Sequence, residues 1–194
     1  MRILACGDTA VLLDCTDLDE AQRWYAALED STDAVLGAQT VLLRGIPERL
    51  RAVVARTTPA DSVIREDQPV LDIPIRYDGE DLAEVARLTG LSADEVVVAH
   101  AGSTWTVAFG GFAPGFAYLT GGDPRLTVPR RDSPRTSVPA GAVGLAGPYC
   151  GVYPRESPGG WQLIGHTPTA MWDLDKDPPA LLHPGGRVRF VESS

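Results

Sequence analysis

The fold is decided by the stretch VPRRDSPRTSVPAGAVGLAGPYCGVYPRESPGGWQLIGHTP, residues 128–168 of the 194-residue chain. From residue 110 to residue 168, 12 glycines and 9 prolines occupy 21 of 59 positions. Prolines at this density exclude interior helices and central strands. Single aromatic and β-branched residues nevertheless continue throughout, so the stretch is not a flexible linker. We predict a β-rich domain whose long loops are shaped by glycine and proline.

The residues before this stretch predict a different kind of unit. Short apolar runs at 3–5 and 10–13 indicate two strands, and Asp17 with Glu20 forms a capping-box-like start for a helix that continues to Leu28. The remaining elements are predicted, in chain order, at 34–43 (strand), 47–56 (helix) and 70–77 (strand). This order of strands and helices favours a ferredoxin-like plait.

Two further helices are predicted between these parts, at 80–88 and 92–100, and Ser92 with Glu95 forms a capping box at the second. We therefore expect three regions with different local character. They are a small α+β domain at 1–77, a helical connector at 78–102 and a mainly-β barrel domain at 103–194.

Composition excludes several classes of function. A net charge of −9 argues against general attraction to nucleic acid, and no apolar stretch approaches the roughly 20 residues of a membrane span. The N-terminus lacks the layout of a signal peptide, so we expect a cytoplasmic protein. Lys176, the only lysine, lies in an acidic loop, which supports neither a P-loop nor a Schiff base. Three cysteines without a Cys-x-x-Cys pair fit reduced thiols, and we expect no metal site.

Positive charge is concentrated in the glycine- and proline-rich part. Residues 125–155 contain five arginines and a single acid, Asp132. One interpretation is an anion site, because the planar guanidinium group binds carboxylate, carbonate or phosphate through two parallel hydrogen bonds. The other is that solvated loop arginines pair with acids of the first half.

The histidines offer one candidate for chemistry. His100, His166 and His183 are not spaced as metal ligands, and a lone histidine is more often structural. His166 is the best candidate because it lies close in sequence to residues 157–160. Cys150 is a conceivable nucleophile beside His166, although a plain thiol is the simpler interpretation.

Several short motifs follow one another along the second half of the chain. They are GFAPGFAYL (111–119), PRRDSPR (129–135), VPAGAV (138–143), GVYP (151–154), SPGGWQLIG (157–165) and LLHPGGRVRF (181–190). In this order, they closely resemble the family of 5-oxoprolinase B subunits, also called allophanate hydrolase subunit 1 or KipI-like. Three positions depart from the family pattern: His166 stands where Arg is usual, Cys150 where Thr is usual and Gly186 where Asp is usual.

The resemblance implies a small α+β domain followed by a cyclophilin-like β-barrel. It also implies a related second subunit (the C subunit, or allophanate hydrolase subunit 2) and a third, lactam-handling subunit. Together these would cleave 5-oxoproline to L-glutamate with ATP, and the ATP site belongs either to this chain or to a partner subunit. The alternatives are an allophanate hydrolase or urea carboxylase-type carboxyltransferase subunit, and a non-catalytic KipI-like inhibitor of a sensor histidine kinase.

For a lactam to be hydrolysed near neutral pH, ATP would first phosphorylate the amide oxygen, and this chemistry needs cations, backbone N–H donors and exclusion of water. We expect these in one cleft of the barrel domain, with Phe116 and Trp161 as an apolar wall. His166 and Arg131 are the predicted catalytic residues. The predicted anion- and substrate-binding residues are Arg130, Arg135, Ser157, Gly159, Gly160 and Phe116. In the alternative arrangement, the arginines pair with Asp132 and Glu156 and only brace loops.

Overall fold

The computed structural model describes residues 1–61 and 69–193. The chain divides into two units, Met1–Asp67 and Gln68–Ser194. Within the described residues, no helix combines the length and the apolar character needed to cross a membrane.

The first unit combines four strands and two helices among its described residues. They are β1 (Arg2–Ala5), β2 (Ala10–Asp14), α1 (Leu18–Leu28), β3 (Asp33–Leu36), β4 (Thr40–Arg44) and α2 (Pro47–Val54). The strands form an antiparallel sheet in the order β1-β2-β4-β3. The stretch predicted as one strand at 34–43 is a hairpin, because the Gly37 N–H donates to the Thr40 carbonyl (2.8 Å) and turns the chain.

Helix α1 begins where the capping pattern predicts. The Asp17 carboxylate accepts the Glu20 N–H (2.8 Å), and the Glu20 carboxylate accepts the Thr16 N–H (2.7 Å). This second hydrogen bond holds the pKa of Glu20 below its ordinary value. The buried residues Ala21 and Leu28 lie on one face of the helix, which packs against β3 and β4.

The ferredoxin-like plait is not confirmed. A plait requires the strand after α2 to join the first sheet. That strand, β5 (Val70–Ile75), instead pairs in parallel with β13 (Arg187–Glu192) in the second unit, and β1 occupies the sheet edge beside β2. Local alternation predicts that β5 is a strand, but it carries no information about a partner that lies more than 100 residues later.

The second unit is built from short strands separated by turns, as the glycine and proline content predicts. Besides β5 and β13 they are β6 (Thr104–Gly110), β7 (Ala117–Thr120), β8 (Arg135–Val138), β9 (Ala142–Ala146), β10 (Tyr149–Val152), β11 (Ser157–Gly159) and β12 (Gln162–His166). Seven of these strands form a sheet in the order β12-β9-β10-β7-β6-β13-β5. Apart from the parallel β5–β13 pair, neighbouring strands are antiparallel, and β8 and β11 pair separately.

The two ends of this sheet meet. Beyond β5, the backbone of Arg76 exchanges two hydrogen bonds, each of 2.9 Å, with His166 at the end of β12. A few residues later, the Asp81 N–H donates to the Leu163 carbonyl (2.9 Å). The sheet thus curls back on itself, which fits the cyclophilin-like β domain that the resemblance implies.

The described residues of this unit form two helices, α3 (Leu82–Thr89) and α4 (Ala93–Ala101), and a short 3₁₀ helix at Pro124–Leu126. The Ser92–Glu95 capping box is formed, with backbone-to-side-chain hydrogen bonds of 2.8 and 3.2 Å. Val85 of α3 and Val96 of α4 are fully buried in the same apolar cluster as the barrel strands.

The domain boundaries therefore differ from the predicted ones at 77 and 102. The division of the structure lies between Asp67 and Gln68, and it assigns β5 and both helices to the second unit. The physical reason is that β5 is hydrogen-bonded to β13 and that the helices bury their apolar faces in the barrel core.

The barrel core contains a polar cluster. The buried His100 ring lies 2.8 Å from the Tyr77 hydroxyl through Nδ1 and 3.3 Å from the Cys150 sulfur through Nε2. Burial lowers the pKa of His100 to about 3 and raises the pKa of the Cys150 thiol. Cys150 therefore contacts His100 rather than His166, and its thiol is buried.

Candidate functional site

A small pocket walled by aromatic rings lies in the second unit; we call it the aromatic pocket. Its volume is about 120 Å³. Arg130, Pro158, Gly159 and Gly160 complete its wall. The rings that line it are those of Phe112, Phe116, Tyr118, Tyr153 and Trp161.

The rings hold one another in edge-to-face contacts. The Phe116 centroid lies 5.4 Å from that of Trp161 and 5.6 Å from that of Tyr153, at interplanar angles of 89° and 78°. Gly151 on β10 leaves space for this cluster, because a Cβ there would approach Phe116 to 2.9 Å and Trp161 to 3.1 Å. Burial raises the pKa of Tyr153, so its phenol stays neutral. The aromatic part of the wall is therefore uncharged.

Gly159 and Gly160 have different roles in this wall. A Cβ at Gly159 would lie 2.2 Å from the Tyr153 hydroxyl oxygen, so glycine is required there by the packing of that ring. A Cβ at Gly160 would meet nothing closer than 3.5 Å. The Gly160 carbonyl accepts the Arg131 N–H (2.8 Å), which attaches the arginine-rich loop to the pocket wall.

Arg130 is the cation of the aromatic pocket. Its side chain is exposed and forms neither a salt bridge nor a hydrogen bond with residues 1–61 or 69–193. Arg130 also borders an open cleft of about 570 Å³, which is lined in addition by Arg131, Asp81 and Gln162. The guanidinium group is thus available to bind an anion in the aromatic pocket or in the open cleft.

Arg131 and Arg135 are held by a buried carboxylate. Asp81, which is 4% exposed, lies 2.6 Å from Arg131 Nη1 and 2.8 Å from Arg135 Nη2. Its other oxygen accepts the Leu163 N–H (2.7 Å), and Glu80 adds a second contact to Arg135 (3.1 Å). Burial alone would raise the pKa of Asp81, but the hydrogen bonds from Arg135 and Leu163 and the arginine charges outweigh it and lower the pKa.

His166 lies at the end of β12, away from the wall of the aromatic pocket. Its Nδ1 is 2.7 Å from Asp78 Oδ1, and Arg76 Nε is 2.8 Å from the other oxygen of Asp78. Burial opposes ionisation of Asp78, but the contacts to His166 and Arg76 outweigh it and lower its pKa. This arrangement fixes the ring and leaves Nε2 free of hydrogen bonds to the described residues.

The structure thus distributes the predicted site residues over separate places. Phe116, Arg130, Gly159 and Gly160 line the aromatic pocket. Arg131 and Arg135 share Asp81, so their acidic partners are Asp81 and Glu80 rather than Asp132 and Glu156. Ser157 is buried, and its hydroxyl donates to the Arg155 carbonyl (3.2 Å). The structure therefore does not bring the seven predicted polar and glycine residues together in one cleft. They are Arg130, Arg131, Arg135, Ser157, Gly159, Gly160 and His166.

Sequence reasoning missed Tyr153, Tyr118 and Phe112 in the pocket and Asp81 beside it. Asp81 precedes a helix, where an acidic residue ordinarily caps the N-terminus, yet its side chain makes no capping hydrogen bond. The aromatic residues lie within the ordered motifs, but no spacing rule indicates that they share a pocket. Among the described residues, no group of His, Cys, Asp or Glu side chains is placed to hold a metal ion.

The pocket also limits what can bind. A volume of about 120 Å³ is close to the roughly 150 Å³ cavity that accommodates one benzene molecule. It is well below the roughly 300 Å³ at which pockets for drug-sized ligands begin. The aromatic pocket therefore holds one small ring, and a nucleoside triphosphate would extend beyond it.

Comparison with known proteins gives a consistent result. The family model "Carboxyltransferase domain, subdomain C and D" matches residues 1–182. The 5-oxoprolinase B subunits of Escherichia coli and Haemophilus influenzae are 40% and 44% identical to this chain over 98% of its length, and over 95% and 97% of theirs. The Bacillus subtilis protein of that name is 48% identical over 64% of this chain. This match spans about half (53%) of the length of the Bacillus subtilis protein.

Two solved structures share the fold. A conserved uncharacterized protein from Pyrococcus horikoshii is 34% identical, with a TM-score of 0.63 over 100% of this chain and 98% of its own. The urea amidolyase of K. lactis is 18% identical, with a TM-score of 0.72 over 99% of this chain and 15% of its own. At 18% identity, the match to the urea amidolyase shows only that the two proteins share a fold.

Proposed function

Because this chain belongs to the carboxyltransferase domain family of subdomains C and D, and its relatives are named as 5-oxoprolinase B subunits, we propose that it is the B subunit of an ATP-dependent 5-oxoprolinase. The complex hydrolyses 5-oxoproline to L-glutamate. It includes a related second subunit and a lactam-handling third subunit, and the isolated chain is inactive.

The observation that carries the substrate assignment is the unpaired Arg130 at an aromatic pocket the size of one small ring. 5-Oxoproline is a five-membered lactam with one carboxylate. The guanidinium group of Arg130 binds the carboxylate, and the rings of Phe116, Tyr153 and Trp161 enclose the lactam and exclude water. This orients the amide, and Arg130 is the charged side chain of the pocket wall that lies beside it.

The reaction needs ATP to activate the lactam. Phosphoryl transfer to the amide oxygen releases ADP. One water then adds to the activated carbon, and the C–N bond opens with transfer of a proton to the nitrogen, which leaves an acyl phosphate. A second water hydrolyses the acyl phosphate to the carboxylate and inorganic phosphate. The aromatic pocket is too small for ATP, so we assign the nucleotide to another surface of the complex. This chain's contribution is to bind and orient the lactam. His166, whose Nδ1 is held by Asp78, lies five residues beyond Trp161 along the chain and outside the aromatic pocket, so we assign it no step on the bound lactam.

The test is co-expression with the partner subunits, followed by an assay of ADP release. We expect one co-eluting complex that releases ADP only when 5-oxoproline is present, and no release from the isolated chain. A complex without 5-oxoproline-dependent ADP release would refute the proposal.

A second function, as a urea carboxylase-type carboxyltransferase subunit, is favoured by one observation. The urea amidolyase of Saccharomyces cerevisiae is 30% identical to this chain over 57% of its length. The same ADP-release assay distinguishes the two functions, because the second function predicts turnover with urea or allophanate and no turnover with 5-oxoproline.

A further inference from the structure

Phe112 has an unusual backbone conformation. Among the described residues it is the one non-glycine residue with a positive φ, at +66°. The Ala113 N–H donates to the Gly111 carbonyl (2.7 Å), which closes a three-residue turn centred on Phe112. Turns of this kind with positive φ are rare and strained. Strain of this kind persists where the surrounding structure enforces it, and it clusters at ligand sites.

The side chain of Phe112 gains little burial in return. It is 58% exposed. The contacts of its ring are edge-to-face, with Phe116 at 5.3 Å and Tyr153 at 6.1 Å between centroids. Both of these rings line the aromatic pocket, so Phe112 forms the outer part of the same wall. Glycine would suit the backbone and a polar residue would suit the exposure, yet neither is present.

We infer that Phe112 contacts the substrate and sets the affinity of the aromatic pocket for small planar rings that carry a carboxylate. This inference rests on the proposed function and adds a residue to it. Arg130 holds the carboxylate, the buried rings of Phe116 and Trp161 form the floor, and Phe112 covers the remaining face of the lactam.

This role predicts a specific kinetic pattern. A ring that contacts the substrate equally before and during the reaction contributes uniform binding, so its loss raises KM and leaves kcat unchanged. A ring that only packs against its neighbours predicts the opposite, namely a lower melting temperature with an unchanged KM.

The experiment compares variants in the assembled complex. For F112A we expect a KM for 5-oxoproline about tenfold higher, which is the size of one aromatic contact, with kcat within about twofold of the wild type. Because the ring is mostly exposed, the melting temperature should change by less than about 4 °C. F112G, which accepts the positive φ, should show the same rise in KM, and F112Y should restore the wild-type value.

Leu174 provides the matched control, since it is 81% exposed and is not part of the pocket wall; L174A should leave KM unchanged. An active wild-type complex whose F112A and F112G variants keep the wild-type KM would overturn the inference and leave the proposed function intact. A wild-type complex that is inactive with 5-oxoproline would instead refute the proposed function, and the inference with it.

Discussion

Asp81 and Leu163 pair as if they were neighbours in a sheet. The Asp81 N–H donates to the Leu163 carbonyl (2.9 Å), and the Asp81 carboxylate accepts the Leu163 N–H (2.7 Å). One side chain thus completes the hydrogen bonding of an edge strand, and its second oxygen binds Arg131 and Arg135. Asp81 therefore links closure of the barrel to the position of the arginine-rich loop.

Replacing Asp81 should destabilise the second unit. D81A leaves the Leu163 N–H and two guanidinium groups without their buried partner, and we expect a loss of about 3 kcal/mol in the free energy of unfolding. D81N keeps an acceptor for Leu163 but loses the charge, so its loss should be smaller. Urea denaturation measures both.

Asp132 is the control for this series, because it is exposed and forms no ion pair with the described residues. D132A should change the free energy of unfolding by less than about 0.5 kcal/mol. Equal losses for D81A and D132A would show that Asp81 has no special structural role.

Stability should decrease in acid because of His100. In the folded chain burial lowers the pKa of His100 to about 3, from an ordinary value of 6.5. Below pH 6.5 the His100 ring binds a proton in the unfolded chain, whereas the buried ring of the folded chain stays neutral. Acid therefore favours unfolding. The free energy of unfolding should decrease from pH 6.5 toward pH 3 by at most about 1.4 kcal/mol per pH unit.

The measurement is urea denaturation of the wild type and H100Q at several values between pH 5 and pH 7.5. H100Q removes the titrating ring. In its plot of unfolding free energy against pH, the slope should therefore correspond to one fewer proton taken up on unfolding. Parallel slopes for the two proteins would mean that His100 is not the responsible group.

Gly159 and Gly160 form a matched pair for testing the pocket wall. G159A places a Cβ 2.2 Å from the Tyr153 hydroxyl oxygen and should cost about 1–3 kcal/mol of stability through overpacking. G160A meets only ordinary contacts and should be neutral within about 1 kcal/mol. Thermal unfolding distinguishes them, and a G160A variant as unstable as G159A would contradict the described wall.

The sequence predicts local structure well and long-range pairing poorly. Capping pairs at Asp17–Glu20 and Ser92–Glu95 locate two helix starts, because caps depend on residues three apart. The partner of β5 was not predictable, since it lies at the far end of the chain.

The site shows the same division. Arginine content and the Gly159–Gly160 motif indicate an anion site, and Arg130 does line the aromatic pocket. The partner of Arg131 and Arg135 is Asp81, about 50 residues away, and only the folded barrel brings these residues together.

The substrate assignment depends on Arg130, which we propose binds the carboxylate of 5-oxoproline in the aromatic pocket. The direct measurement is the KM for 5-oxoproline of R130A in the assembled complex, compared with R155A, an exposed arginine that does not line the pocket. We predict a rise of about tenfold to a hundredfold for R130A, the loss of one charge-assisted contact, and no change for R155A. A wild-type KM in R130A, from an intact and active complex, would show that Arg130 does not bind the carboxylate of the substrate.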